Sequence, residues 1–263
     1  SLNKVYMVME YCDHEVKSIL EDKSMQFSHS QIKCLVKQLL QGVEYMHRNY
    51  VFHRDLKTSN LLYQNEGGIL KICDFGLARR FSEPVTNYTG LVCTLWYRAP
   101  ELLLGFKQYS KEVDMWSVGC IFAELILKTP LFMGTNELDQ LDKIFKILGN
   151  PNDQNWPGWK TARYSQQVET TLKKKNKQNR LRDKFPMIPI SDEDPMFLSD
   201  SGLDLLQSLL SYDPEKRISA KDAISHPWFL EDPCDKSMPS FTPLNEISRD
   251  ELKKNRKRSI DEK

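Results

Sequence analysis

The chain has 263 residues, with 37 Lys and Arg against 36 Asp and Glu, a formal net charge of +1. This near balance excludes a dedicated nucleic-acid coat or an acidic tail protein. With 40% hydrophobic and 28% charged residues the composition is that of a globular protein, and no apolar stretch approaches the ~18 residues of a membrane span. Six cysteines lie far apart with no C-x-x-C pair, which argues against a zinc site or a disulfide framework and for a reducing compartment, nuclear or cytoplasmic. The opening Ser1-Leu2-Asn3-Lys4 has neither a basic nor an apolar leader segment, and the chain reads as a piece of something longer.

Val5 to Met9 is a short apolar run that predicts a strand, followed by a polar connector from Glu10 to Glu15. Ser28 and Gln31 form a capping box, and Ile32, Leu35, Val36, Leu39, Leu40, Val43 and Met46 continue at helical spacing. Leu61 to Tyr63 and Ile69 to Cys73, joined through Gly67-Gly68, predict a hairpin. Residues 74–110 show no sustained period, as expected of an ordered functional loop. Residues 114–127 are apolar almost all round, the pattern of a buried central helix. Further helices are predicted over Leu138 to Leu148, stopped by Gly149, and Leu203 to Leu210. Residues 151–195 read as irregular, with the basic cluster 173–175, and 231–263 as a tail whose Lys253 to Arg258 run is either a nuclear address or solvated charge.

Chemistry concentrates in the polar loop His53-Arg54-Asp55-Leu56-Lys57-Thr58-Ser59-Asn60 and in Asp74-Phe75-Gly76 just beyond the hairpin. Two carboxylates and an amide brought together by a hairpin suit Mg²⁺, with one carboxylate left to orient or deprotonate a hydroxyl. Ala99-Pro100-Glu101 marks the far end of the intervening loop. The three motifs in this order are the protein-kinase signature set. A P-loop phosphotransferase is excluded because no Gly-Lys-[Ser/Thr] occurs.

On these residues, together with Thr94 to Glu101, Asp114 to Cys120 and Pro214 to Ser219, the chain resembles eukaryotic Ser/Thr protein kinases, specifically the cyclin-dependent kinases. Thr58-Ser59 resembles the PITSLRE-type branch where many relatives have Pro, while Ile72-Cys73 before Asp74 is more like mitogen-activated kinases. No G-x-G occurs anywhere, and Lys4 to Met9 already corresponds to the family's fifth strand. The resemblance therefore implies an α+β fold class in which 1–15 form the last N-lobe strand and hinge. Residues 16–230 then form a mainly helical C-terminal lobe with one small hairpin at the catalytic loop, the N-terminal lobe is missing, and the chain is inactive alone.

The resemblance also implies roles. Asp55 would accept the substrate hydroxyl's proton, Lys57 would neutralise the transferred phosphoryl group, and Thr94 would tie the two together. Asn60 and Asp74 would hold Mg²⁺. ATP would contact Met9, Glu10, Cys12, Glu15 and Leu62. Thr89 would be the activation-loop phosphosite, partnered by Arg54 and Arg79 and modified by an upstream activating kinase. Cys93 and Arg98 would form the pocket that selects protein substrates with Ser/Thr-Pro. A cyclin-type regulatory subunit is the implied partner, and neither a membrane nor direct nucleic-acid binding is expected. Glu101 with Arg217 reads as a buried ion pair, Asp114 as a clamp on the catalytic-loop backbone, and Cys73 as an inert thiol. The competing function class is a non-catalytic binding module for substrates or partner proteins.

Overall fold

The computed structural model describes residues 6–22, 27–80, 94–171, 178–187 and 197–233. Its first elements are β1 (His14–Glu15) and α1 (Val16–Glu21), which lead to the long α2 (His29–Arg48). The predicted capping box forms: Ser28 Oγ accepts the Gln31 amide, and Gln31 Oε1 accepts the Ser28 amide at 2.8 Å. Two of the four orphan amide donors of this helix start are thereby satisfied. The apolar stripe of α2, from Ile32 to Met46, is buried.

After β2 (Val51–Phe52) comes the catalytic loop, and then the predicted hairpin, β3 (Leu61–Gln64) and β4 (Ile69–Ile72). Gly67 and Gly68 turn it with positive φ of 82° and 64°, which side chains resist. The expectation of one isolated hairpin is corrected: β1 adds antiparallel to β3, giving a three-stranded sheet, and β2 pairs antiparallel with β5 (Arg79–Arg80) as a second sheet. Two-residue ladders carry no readable alternation and exist only because distant segments meet. The strand expected over 5–9 is also corrected, for Tyr6 to Met9 have no regular structure and Val8 is 97% exposed. No neighbouring strand among the described residues offers their amides a ladder.

The remaining elements are helical: α3 (Pro100–Leu103), α4 (Glu112–Leu127), α5 (Glu137–Leu148), α6 (Ser165–Thr171), α7 (Asp200–Leu209) and α8 (Ala220–Ile224). As its pattern predicts, α4 is the central helix, buried from Val113 to Ile126 and packed against α2 and α7. Short 3₁₀ turns at Thr58–Asn60, Phe75–Leu77 and Leu95–Tyr97 occupy the segments that carry the motifs.

Candidate active site

The catalytic loop is held from beneath by α4. Asp114, completely buried, accepts the backbone amides of His53 through Oδ2 and Arg54 through Oδ1, each at 2.8 Å. His47 on α2 contacts the same Oδ2 at 2.9 Å. With its amide fixed in this way, Arg54 holds a left-handed backbone, φ 72°, a strain tolerated where surroundings over-determine it. The expected clamp is thus present, and His47 extends it, a residue whose buried place on α2 gave no sign of this role.

Immediately beyond, Lys57 Nζ lies 2.7 Å from Asp55 Oδ2. Asn60 Nδ2 donates to Asp55 Oδ2 at 3.1 Å and to the Asp55 carbonyl at 2.8 Å. The carboxylate is therefore oriented by an ammonium and an amide. Thr94 is exposed and lines the same cavity as Lys57, but Lys57 reaches Asp55 without an intermediary.

The hairpin brings Asp74 back beside Asn60. Leu61 stands opposite Ile72, and the Cys73 amide donates to the Asn60 carbonyl at 3.0 Å. Asp74 adopts φ 62°, and its carboxylate accepts the Gly76 amide at 3.3 Å. His53 joins the two motifs, with Nε2 3.0 Å from the Cys73 carbonyl and its ring edge-on to Phe75 at 5.0 Å. One amide oxygen and one carboxylate suit Mg²⁺, which keeps several waters and takes few protein ligands.

Glu15 and Lys71 flank Leu62 on the neighbouring strands, so Leu62 sits mid-sheet. Glu10 pairs with Lys71, and Met9 is exposed. Cys12 and Cys73 are partly buried, and burial pushes both thiols up; Lys71 opposes the shift at Cys12, while Asp74, Glu15 and Cys12 reinforce it at Cys73. A raised thiol is a poor nucleophile, although Cys73 is partly exposed and not the buried thiol expected.

Thr89 and Cys93 lie outside the described residues. Of the residues expected around them, Arg79 is exposed and bonds the Ala78 carbonyl, while Arg54 lies over the Tyr109 ring at 5.6 Å. Arg98 is buried and paired with Glu137 at 3.5 Å, a partner that sequence reasoning missed. It also missed Gln140, which donates to the Trp96 carbonyl and receives the Gly134 amide. The Glu101–Arg217 pair is bidentate and buried, at 2.7 and 3.0 Å, with Arg217 donating also to the Glu112 carbonyl at 2.7 Å.

A cavity of about 820 Å³ opens beside the loop, lined by Lys57, Thr58 and Ser59 and by Thr94 to Arg98 among others. A polar loop, a metal-suited pair and a cleft are the parts that a phosphoryl-transfer site of the kinase type requires. The sequence matches the protein kinase domain over residues 1–229, and the chain belongs to that family. Among similar proteins, cyclin-dependent kinase G-2 of Oryza sativa subsp. indica is 54% identical over 252 residues, 95% of this chain and 34% of its own length. Human cyclin-dependent kinase 11B is 46% identical over 252 residues, 95% of this chain and 30% of its own length. A crystal structure of the yeast RNA Pol II CTD kinase CTDK-1 complex superposes with a TM-score of 0.78 at 43% identity, covering 87% of this chain and 71% of that one. The chain thus spans about a third of the length of the first two relatives.

The domain match overturns one expectation. It runs from residue 1, taking the strand-bearing N-terminal part together with the helices, so the chain is not set apart as a C-terminal lobe.

Proposed function

We propose that the chain is the kinase domain of a cyclin-dependent-like Ser/Thr kinase that transfers the γ-phosphate of ATP to proteins at Ser/Thr-Pro sites. The observation that carries the reading is Asp55, whose carboxylate is oriented by Lys57 at 2.7 Å and Asn60 at 3.1 Å. A carboxylate held so can receive the substrate hydroxyl's proton, while Lys57 beside it offsets charge on the transferred group. Asn60 and Asp74 would hold Mg²⁺, whose part is to neutralise phosphate charge. Met9, Glu10, Cys12, Glu15 and Leu62 form the nucleotide side, and Thr94 lies at the substrate side. Thr89, once phosphorylated by an upstream kinase, would pair with Arg54 and Arg79. A cyclin-type subunit is the regulatory partner, as the names of the relatives suggest. The free thiols of Cys12, Cys34, Cys73 and Cys120 suit a reducing compartment, nuclear or cytoplasmic.

Proline selection follows from Arg98 and Cys93. Were Arg98 to hold the backbone carbonyl of Cys93, a substrate N–H placed there would lack an acceptor, and proline has no N–H to lose. An unpaired buried N–H costs ~1 to 3 kcal/mol, or about 5- to 150-fold in kcat/KM. In the full-length protein with its regulatory partner, Asp55→Asn should lower labelled phosphate transfer to a Ser-Pro peptide by about 10²- to 10⁴-fold. Transfer unchanged by Asp55→Asn would overturn the assignment of the base. Equal rates for Ser-Pro and Ser-Ala peptides would overturn the proline preference.

A further inference from the structure

Thr58 occupies a turn of the catalytic loop between Lys57 and Asn60, yet its hydroxyl faces neither the nucleotide side nor the metal-suited pair. It is completely buried, donates to Glu124 Oε1 at 3.3 Å, and lies 3.1 Å from the Tyr97 hydroxyl. Tyr97 donates to Glu124 Oε2 at 2.7 Å. The three polar groups close a triangle whose corners come from the catalytic loop, the turn Leu95–Tyr97 and α4. All three residues line the cavity of about 820 Å³, together with Lys57 and Ser59 of the loop and residues 94–98, and they join those two segments where they meet. A peptide lying there would touch both segments, and Lys57, which lines the cavity, reaches Asp55 at 2.7 Å, so the placement of the loop against residues 94–98 sets how the peptide's hydroxyl meets Asp55.

We infer that Thr58 is a positioning residue for the protein substrate, fixing the catalytic loop against the 94–98 segment through Glu124 and Tyr97. The inference rests on the kinase reading above. Two hydroxyl protons serve two carboxylate oxygens, so an ionised Glu124 satisfies the cluster fully. Burial nevertheless pushes Glu124 up to about 7, against the hydrogen bonds from Tyr97 and Thr58. Acting on it are Lys17 and Glu21 from α1, Thr58 from the loop, Tyr97 from the 95–97 turn and Cys120 from its own helix, while Lys57 and Lys128 line the same cavity. Removing the Thr58 donor disfavours the ionised form, so the pH at which Glu124 titrates moves upward.

Thr58→Val keeps the branched shape and deletes the donor; Thr58→Ser keeps the donor. In the full-length protein with its regulatory partner, Thr58→Val should raise the KM for a Ser-Pro peptide about 5- to 10-fold, the loss of one buried bond to a carboxylate, with the KM for ATP unchanged. The pH midpoint of that peptide KM should rise. Thr58→Ser should return both to wild-type values, and Thr58→Val with Tyr97→Phe should be less than multiplicative. An unchanged peptide KM, an equal rise for peptide and ATP, or no rescue by Ser would each overturn the inference. Peptide affinity measured by fluorescence anisotropy without ATP keeps the two readings apart: a wild type that transfers no phosphate defeats the kinase assignment, while Thr58 is still judged by whether Val weakens peptide binding and Ser does not.

Discussion

The backbone N–H of Arg54 donates to Oδ1 of Asp114 at 2.8 Å, so a buried carboxylate on the central helix fixes a loop residue in the left-handed region. Asp114→Ala would remove the acceptor shared by one buried amide, one part-buried amide and His47 Nε2. A loss of about 3 to 5 kcal/mol in unfolding free energy is expected, read by urea denaturation. Asp114→Asn should recover only part of it, because its amide nitrogen cannot accept. A loss under about 1 kcal/mol for Ala would show that the loop holds its own shape.

Arg217 forks onto Glu101 with two hydrogen bonds and stands 5.3 Å from the Trp116 ring. Lysine can supply neither the fork nor the planar stack. Arg217→Lys is therefore expected to cost about 2 to 4 kcal/mol, whereas replacing both partners with apolar residues of similar volume should cost less than either single change. Additive losses in that double-mutant comparison would contradict the picture.

The raised Glu124 gives a signed pH dependence. A carboxyl shifted from 4.5 to about 7 binds its proton more tightly folded than unfolded, so its contribution is full below pH 4.5 and is lost as pH rises to about 7. Glu124→Gln abolishes this titration. The stability of the Gln variant relative to wild type should therefore improve on going from pH 4.5 to pH 8, by at most ~3 kcal/mol. A difference that is flat with pH, or that runs the other way, would mean that Glu124 is not raised.

Gly134 is the position where a close backbone approach requires glycine. A Cβ there would fall 2.4 Å from Gln140 Cα, while the Gly134 carbonyl accepts from Trp96 Nε1 at 3.0 Å. Gly134→Ala should push α5 away from the 95–97 turn. A drop in Tm of several degrees with increased solvent exposure of Trp96 fluorescence is the expected result; an unchanged Tm would show that the helix yields freely.

The parts legible from sequence were those with local signals. The capping box at Ser28, the stripe of α2, the hairpin glycines and the all-round apolarity of α4 act within a few residues of themselves. The signature motifs located Asp55, Asn60 and Asp74 for the same reason. What escaped was made by long-range pairing: the two-residue ladders of Val51 with Arg80 and His14 with Tyr63, the Arg98–Glu137 pair, and Glu124. Glu124 was hidden twice, as one acid in an apolar helix and as the partner of residues 27 and 66 positions away. The strand expected over 5–9 failed the opposite way, for its apolar composition was real but no strand among the described residues lay beside Tyr6 to Met9.

Asp114 and Glu124 belong to the same helix, ten residues apart, which at 1.5 Å per residue is about 15 Å. Their carboxylates grip the catalytic loop at His53 and Arg54 on one side of Asp55 and at Thr58 on the other. The loop is therefore a short bridge with both abutments cast in one rigid beam. Its span cannot stretch or shear without bending α4, so Asp55 inherits the stiffness of a core helix although it sits in a segment with no regular structure of its own. Repacking the buried face of α4 between those two carboxylates should consequently act on the chemistry as a surveying error does, by shifting both reference points at once.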